Sequence, residues 1–259
     1  MVVVKAKKNL GQHFLTDLNI ARKIVGSLSS DCTNVLEIGA GMGVLTQFLF
    51  QNSTFKTIAI DIDRESIAYL KQQFPDFTDR IVYNDFLKLD TSSLFGQSSF
   101  AVIGNFPYNI SSQIFFKILE NRDAVPEVVG MVQKEVAERL AAKPGSKTYG
   151  ILSVLLQAYY KVEYLFTVPE NVFKPPPKVK SAVIRLSRNE VKELGCDESL
   201  FKQLVKASFN QRRKMLRNSI KLFIQEEGFS HPFLAKRPEQ LSVTDFIELT
   251  NTITDTQKF

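Results

Sequence analysis

Cysteine and histidine are scarce in this 259-residue sequence, with two of each. Cys32 and Cys196 lie far apart and match no metal spacing, and two histidines add no cluster, so no metal site is expected. So few cysteines fit a reduced compartment, the cytoplasm. No apolar run approaches the roughly 20 residues that cross a bilayer, so no membrane partner is expected. The opening Met1-Val-Val-Val-Lys5-Ala-Lys7-Lys8 sets its apolar residues before its charges, the wrong order for a secretory signal. Repeats, low-complexity tracts and coiled-coil patterns are missing as well, which leaves a monomer as the default.

Acid is missing from two stretches of the second half. Asn171–Arg188 carries Lys174, Lys178, Lys180, Arg185 and Arg188 with no carboxylate. Phe201–Ile220 carries Lys202, Lys206, Arg212, Arg213, Lys214 and Arg217, again with none. An isolated charge run is usually a solvated face. Two such runs in a chain of net charge +6, with Lys5, Lys7 and Lys8 at its start, point to a polyanion such as nucleic acid.

What is present is an alternation of short apolar runs and helical patterns, which predicts an α/β fold with a mostly parallel sheet. Strands are expected at Asn34–Ile38, Lys56–Ile60, Arg80–Tyr83, Phe100–Gly104 and Glu127–Val132. Val162–Val168 and Ser181–Leu186 follow with no long helix between them, the mark of an antiparallel pair closing the sheet. Helices are expected at Asp17–Ser27, Asp63–Gln73, Ser111–Glu120 with Ser111 as N-cap, Gln133–Ala142 and Gly150–Tyr160. After Arg188 only helical periodicity remains. Phe201, Leu204, Val205 and Ser208 share one face, and Lys202, Lys206, Arg213 and Arg217 share another if the helix runs through Gln211. The expected domains are residues 1–188, catalytic, and residues 189–259, a small all-helical RNA-binding domain.

The first strand runs into Glu37-Ile-Gly39-Ala-Gly41-Met-Gly43. Glycines there permit a tight turn and close approach of a ligand to the backbone. The spacing is G-x-G-x-G rather than the G-x-G-x-x-G of dinucleotide binders. With Glu37 two positions ahead, it has the form seen in S-adenosylmethionine methyltransferases, and Gly39 and Gly41 would meet the cofactor. Asp61 ends the second strand about 20 residues on, where an acid can hold a ribose diol. Asp63 competes for that role but fits a helix cap better. Asp85, followed by Phe86 at the third strand end, could accept from the cofactor's adenine amine or simply cap a loop.

Asn105-Phe106-Pro107-Tyr108 ends the fourth strand. As a lone segment it reads as a turn. Behind this glycine loop it fits adenine methylation, and it decides against a dehydrogenase of otherwise similar layout. Adenine's exocyclic amine is a poor nucleophile because its lone pair is delocalised into the ring. The Asn105 side-chain oxygen and the carbonyl of Phe106 or Pro107 can hold the amine hydrogens. Pro107 fixes the backbone, and Tyr108 offers a face on which the base can stack.

These segments, with Asn9-Leu-Gly-Gln-His13-Phe-Leu15, Val172-Phe173-Lys-Pro-Pro-Pro-Lys178-Val-Lys-Ser-Ala-Val and Phe209-Asn-Gln-Arg-Arg213-Lys-Met-Leu-Arg217-Asn, resemble the ribosomal RNA adenine N6-methyltransferase superfamily. Within it they are most similar to the small-subunit rRNA adenine N6,N6-dimethyltransferases. The resemblance covers Lys7 to about Ile220. It implies S-adenosylmethionine as cofactor, contacted by Gln12, His13 and Leu15 as well as by Gly39, Asp61, Asp85 and Asn105. It implies a small ribosomal subunit or its precursor as partner, with methylation of two adjacent adenines near the 3′ end of its rRNA.

Phe173 alone would be core; the resemblance supports a sandwich of the target base opposite Tyr108. Lys174 and Lys178 would meet phosphates, and Arg212, Arg213, Lys214 and Arg217 would grip the RNA backbone, although Arg217 could be structural. Three positions depart from the family's common pattern: His13 where Asn is frequent, Phe106 where Leu is frequent, and Asp61 where Glu is found. The alternatives are a large-subunit rRNA adenine methyltransferase of the macrolide-resistance kind, an adenine DNA methyltransferase, and a non-catalytic ribosome-assembly factor with the same fold.

Overall fold

In a computed structural model, described for residues 4–29, 31–224 and 228–256, the seven expected strands form one sheet. They are β1 (Asn34–Ile38), β2 (Lys56–Asp61), β3 (Ile81–Tyr83), β4 (Ala101–Asn105), β5 (Glu127–Gln133), β6 (Tyr160–Val168) and β7 (Ser181–Arg188), in the order β3-β2-β1-β4-β5-β7-β6. β1 to β5 pair in parallel, and β7 runs antiparallel to β5. Val35, Leu36, Val102, Ile103, Val128 and Val129 are all fully buried. That explains why these strands read as continuous apolar runs rather than alternating ones: helices cover both faces of a parallel sheet. The strand order reverses between β1 and β4, and in such sheets the crevice beyond the carboxyl ends at the reversal is where ligands bind.

Local signals set three of the helix starts. Asp17 caps Leu18–Val25, Asp63 caps Arg64–Gln73, and Asp197 caps Glu198–Asn210, each side chain accepting from backbone N–H groups of the first turn. Ser111 is not the cap expected of it. Ile110 holds the cap position of Ser111–Glu120, and the Ser111 hydroxyl donates instead to the Tyr108 carbonyl at 3.2 Å. The tight Pro107–Ile110 turn has already brought the chain into helix one residue sooner. A further element went unforeseen: Phe14–Leu15 pairs antiparallel with Phe173–Lys174.

The chain divides into two compact units, Met1–Ala137 with Val162–Arg188, and Glu138–Lys161 with Asn189–Phe259. The later division falls at the expected Arg188, but Glu138–Lys161 groups with the helical unit. Its helix Ile151–Gln157 buries Leu152, Val154, Leu155 and Leu156 and packs against Glu198–Asn210 and Val243–Thr256. A helix apolar on nearly every side needs such cover. The expected face of Phe201, Leu204, Val205 and Ser208 is buried. The stripe that was to join Lys202 and Lys206 to Arg213 and Arg217 is broken, because the helix stops at Asn210 and a separate short helix, Leu216–Ser219, begins after Met215.

Candidate active site at the glycine loop

β1 delivers the chain into a loop where Gly39, Gly41 and Gly43 have φ of 72°, 54° and 78°, values that side chains with a Cβ rarely adopt. At Gly41 there is a second constraint, since a Cβ would come within 3.0 Å of the Phe14 ring. The loop is tied to β2, whose Ile60 carbonyl accepts from the Gly39 and Ala40 N–H groups. Beside it opens a cavity of about 300 Å³, lined by Gly39, Gly41, Asp61, Asp85, Phe86, Asn105, Pro107, Tyr108, Gln12 and His13 among others.

Asp61 and Asp63 divide the work left open between them. Asp61 lines the cavity, its carboxylate oxygens accepting from the N–H groups of Gly41 and Asp63, each at 2.8 Å. Burial pushes its pKa up while those bonds oppose the rise. An ionised carboxylate has about four acceptor sites, so capacity remains for ribose hydroxyls. Asp63 caps its helix and accepts from Lys7 Nζ at 2.6 Å and Gln12 Nε2 at 3.4 Å. Asp85 lines the cavity, and its Oδ1 also accepts from the Leu87 N–H at 3.0 Å, the loop-capping bond. Ile60, Ile62 and Phe86 supply an apolar slot beside it.

Glu37 stands apart from the cavity lining. It is 1 % exposed beneath the loop, where it accepts from the Thr46 hydroxyl at 2.7 Å at the start of helix Thr46–Gln51. Burial raises its pKa to about 8, Asp61 adding to the rise and the Thr46 bond opposing it. The acid in the motif therefore underpins the glycine loop. Leu15 also misses the main cavity and lies in the core and in a smaller recess against Gly39–Gly41.

Asn105 ends β4 and donates from Nδ2 to the His13 carbonyl at 2.8 Å. A carbonyl can only accept, so the amide's NH₂ is fixed there and Oδ1 is turned away as a free-standing acceptor. The Phe106 ring packs into the sheet, fully buried, where a Cβ on Gly130 would approach it to 2.5 Å. The absence of a side chain at Gly130 is what lets Phe stand where Leu is frequent. The Pro107 carbonyl accepts from the Ile110 N–H at 3.2 Å within the turn. Tyr108 places its hydroxyl 2.5 Å from that of Ser181 and stacks on His13, with ring centroids 5.4 Å apart. The Pro175 carbonyl accepts from His13 Nδ1 at 2.8 Å, which sets the proton on that nitrogen. Ser181 lies in the Val172–Val183 segment that carries the resemblance, but no role was expected of it. Its role depends on the fold bringing β7 to the end of β4.

Phe173 departs from the expected base sandwich. It is 4 % exposed, belongs to the core with Leu15, Val168 and Val183, and does not line the cavity. Pairing with the N-terminal strand has turned it inward. Lys174 and Lys178 of the same loop are exposed, as are Arg213, Lys214 and Arg217 in the helical unit. Arg212 is committed within the protein: it donates to the Ser146 carbonyl at 3.1 Å and lies 3.9 Å from the Glu239 carboxylate.

The lining includes two carboxylates, Asp61 and Asp85, and no lysine or arginine. Such a wall suits a nucleoside that carries positive charge and offers nothing to a pyrophosphate. Fold and cavity together define a Rossmann-like methyltransferase domain, and solved structures share its architecture. The chain superposes on a dimethyladenosine transferase from Plasmodium falciparum with a TM-score of 0.77 and 26% identity, covering 95% of this chain and 98% of that one. A 23S rRNA methyltransferase, ErmE, has the same fold at TM-score 0.66 and 21% identity, over 91% and 99% of the two chains.

In sequence, residues 3–255 match the ribosomal RNA adenine dimethylase family, and the chain belongs to that family. It is 62% identical over 253 residues to the ribosomal RNA small subunit methyltransferase A of Parabacteroides distasonis, covering 96% of this chain and 94% of that protein. It is 58% identical over 254 residues to the protein of the same name from Cytophaga hutchinsonii, covering 97% and 98%.

Proposed function

We propose that this protein transfers methyl groups from S-adenosylmethionine to N6 of two adjacent adenines near the 3′ end of small-subunit ribosomal RNA, giving N6,N6-dimethyladenosine. The observation that carries the reading is the Asn105 amide, whose NH₂ is held by the His13 carbonyl so that Oδ1 faces outward beside a cavity walled by Asp61 and Asp85. The cofactor supplies an electrophilic methyl group on a positively charged sulfur. Asp61 and Gly41 would hold its ribose side, and Asp85 with Ile60, Ile62 and Phe86, which line the same cavity, would take its base.

On the opposite wall, Asn105 Oδ1 accepts one hydrogen of the target amine. The Phe106 carbonyl is the better second acceptor, because that of Pro107 already serves the turn. With both hydrogens held in the first transfer, the nitrogen lone pair would be aligned with the sulfur–methyl bond. As the N–C bond formed the S–C bond would break, S-adenosylhomocysteine would leave as a neutral thioether, and the surplus amine proton would pass to water. Alignment of this kind lowers a barrier by roughly 7–11 kcal/mol when the approach is near in-line. Tyr108, its hydroxyl tied to Ser181, gives the base a fixed face. Stacking on such a face contributes about 1–3 kcal/mol per base, which offsets part of the few kcal/mol needed to unstack an adenine.

The exposed Lys174, Lys178, Arg213, Lys214 and Arg217 are the RNA contacts in this reading, and the helical unit is an RNA-binding domain. The protein works as a cytoplasmic monomer on a small subunit or its precursor. The test offers labelled S-adenosylmethionine with unmethylated small subunits, large-subunit rRNA and adenine-containing DNA. Label is expected only in small-subunit rRNA, as N6,N6-dimethyladenosine. Label in large-subunit rRNA instead, or tight subunit binding with no label, would overturn the reading.

A further inference from the structure

Lys7 belongs to the basic start of the chain that invites a nucleic-acid reading, yet its ammonium is engaged within the protein. Nζ donates to Asp63 Oδ1 at 2.6 Å and lies 3.2 Å from the Glu65 carboxylate. The Asp63 side chain is 1 % exposed and that of Lys7 34 %. A charge as buried as Asp63 requires a partner, and Lys7 is the cation that reaches it. Burial works against ionisation of Asp63, but bonds from Lys7, the Glu65 N–H and Gln12 hold its carboxyl below the usual range.

The pair also closes a loop. The Lys7 N–H donates to Gln12 Oε1 at 2.8 Å, Gln12 Nε2 reaches Asp63 Oδ2, and the Leu10 and Gly11 N–H groups donate back to the Lys7 and Lys8 carbonyls. Residues from Asn9 to Phe14 form one wall of the cavity. Besides the bonds of His13 to Asn105 and Pro175, this wall is fastened at two ends of different character. At Phe14–Thr16 the fastening is a backbone ladder to Val172–Lys174, with Leu15 in the core. At Lys7–Gln12 it consists of side-chain bonds on Asp63, two positions past the cavity acid Asp61. The ionic end is the one where the fastening cation is partly exposed to water.

We propose that Lys7 is a positioning residue, a latch on Asp63 that keeps the Asn9–Phe14 wall closed over the cofactor and so sets how long the cofactor stays bound. The inference rests on the cofactor reading of the cavity given above. Lys7 touches no ligand. It acts through Gln12 and the wall, so its loss shortens residence without removing any contact from the opposite side of the cavity.

The test measures S-adenosylhomocysteine dissociation by stopped flow and affinity by calorimetry, in the full chain, with the ligand-free melting curve recorded alongside to check folding. Lys7→Met is expected to speed dissociation roughly tenfold, as loss of a charge-assisted bond would, and Lys7→Arg to restore it. Raising salt from about 0.05 to 0.5 M should speed dissociation from the natural protein and leave Lys7→Met nearly unchanged, since salt screens only a charge pair that is present. Equal dissociation rates and salt responses in the natural protein and Lys7→Met would overturn the latch and leave the cofactor reading standing. A natural protein that binds no S-adenosylhomocysteine would remove the cofactor reading and the latch with it.

Discussion

The two walls of the cavity are built from different materials. The wall at the ends of β2 and β3 presents carboxylates, and Asp61 is itself held by the N–H groups of Gly41 and Asp63. The wall at the end of β4 presents neutral groups, with Asn105 fixed by His13 and Tyr108 fixed by Ser181. Charge suits the retention of a cationic ligand. Neutral acceptors suit an amine that must keep its lone pair available, since a carboxylate beside the sulfonium would stabilise the reactant state as well as the transition state and gain little rate. Retention and alignment are thus assigned to opposite sides, and each can be perturbed separately.

The largest effect should come from the neutral wall. Asn105→Ala is expected to lower the methylation rate by about 100-fold or more, as a lost positioning contact does, while S-adenosylhomocysteine affinity measured by calorimetry changes by less than about threefold. An equal loss in rate and affinity would mean that Asn105 serves the cofactor rather than the target. On the charged wall, Asp61→Asn should weaken S-adenosylhomocysteine about tenfold, the worth of a hydrogen bond to a charged group. Unchanged affinity would assign Asp61 to the shape of the glycine loop alone.

The smallest effect concerns the acid behind both walls. Glu37 has a folded-state pKa of about 8 against an ordinary 4.5. Between those values the folded chain keeps a proton that the unfolded chain releases, so stability falls as pH rises through that window, by up to about 1.4 kcal/mol per pH unit. Glu37→Gln copies the protonated form and should flatten that slope between about pH 6 and 7 in denaturant melts read by circular dichroism. A slope identical to that of the natural protein would mean that Glu37 is ionised in the fold.

Local pattern made much of this legible. Apolar runs mark the seven strands, and Asp17 and Asp63 cap the helices that follow them because capping is decided within three residues. Gly39, Gly41, Asp61, Asp85, Asn105, Pro107 and Tyr108 meet at one cavity because each sits at the end of a parallel strand. Long-range pairing was not legible. Phe173 and Leu15 pair across their two strands and are both buried, although they stand far apart in the chain. Arg212 looks like its neighbours Arg213 and Lys214 until the fold brings Ser146 and Glu239 to it. Lys7 looks like an RNA contact until Asp63 is placed against it. Basic residues advertise charge, and only tertiary structure tells which charges are already answered.

Phe106 shows how far the reacting geometry depends on groups that no ligand meets. Its ring is pressed between β4 and β5, where Gly104 and Gly130 stand opposite each other and leave the space it fills. The residue on either side of it in the loop, Asn105 or Pro107, has its angle set by this peg in its socket. A methyl group added at Gly130, outside the cavity lining, would come within 2.5 Å of the Phe106 ring and force it to shift beside Asn105 and Pro107.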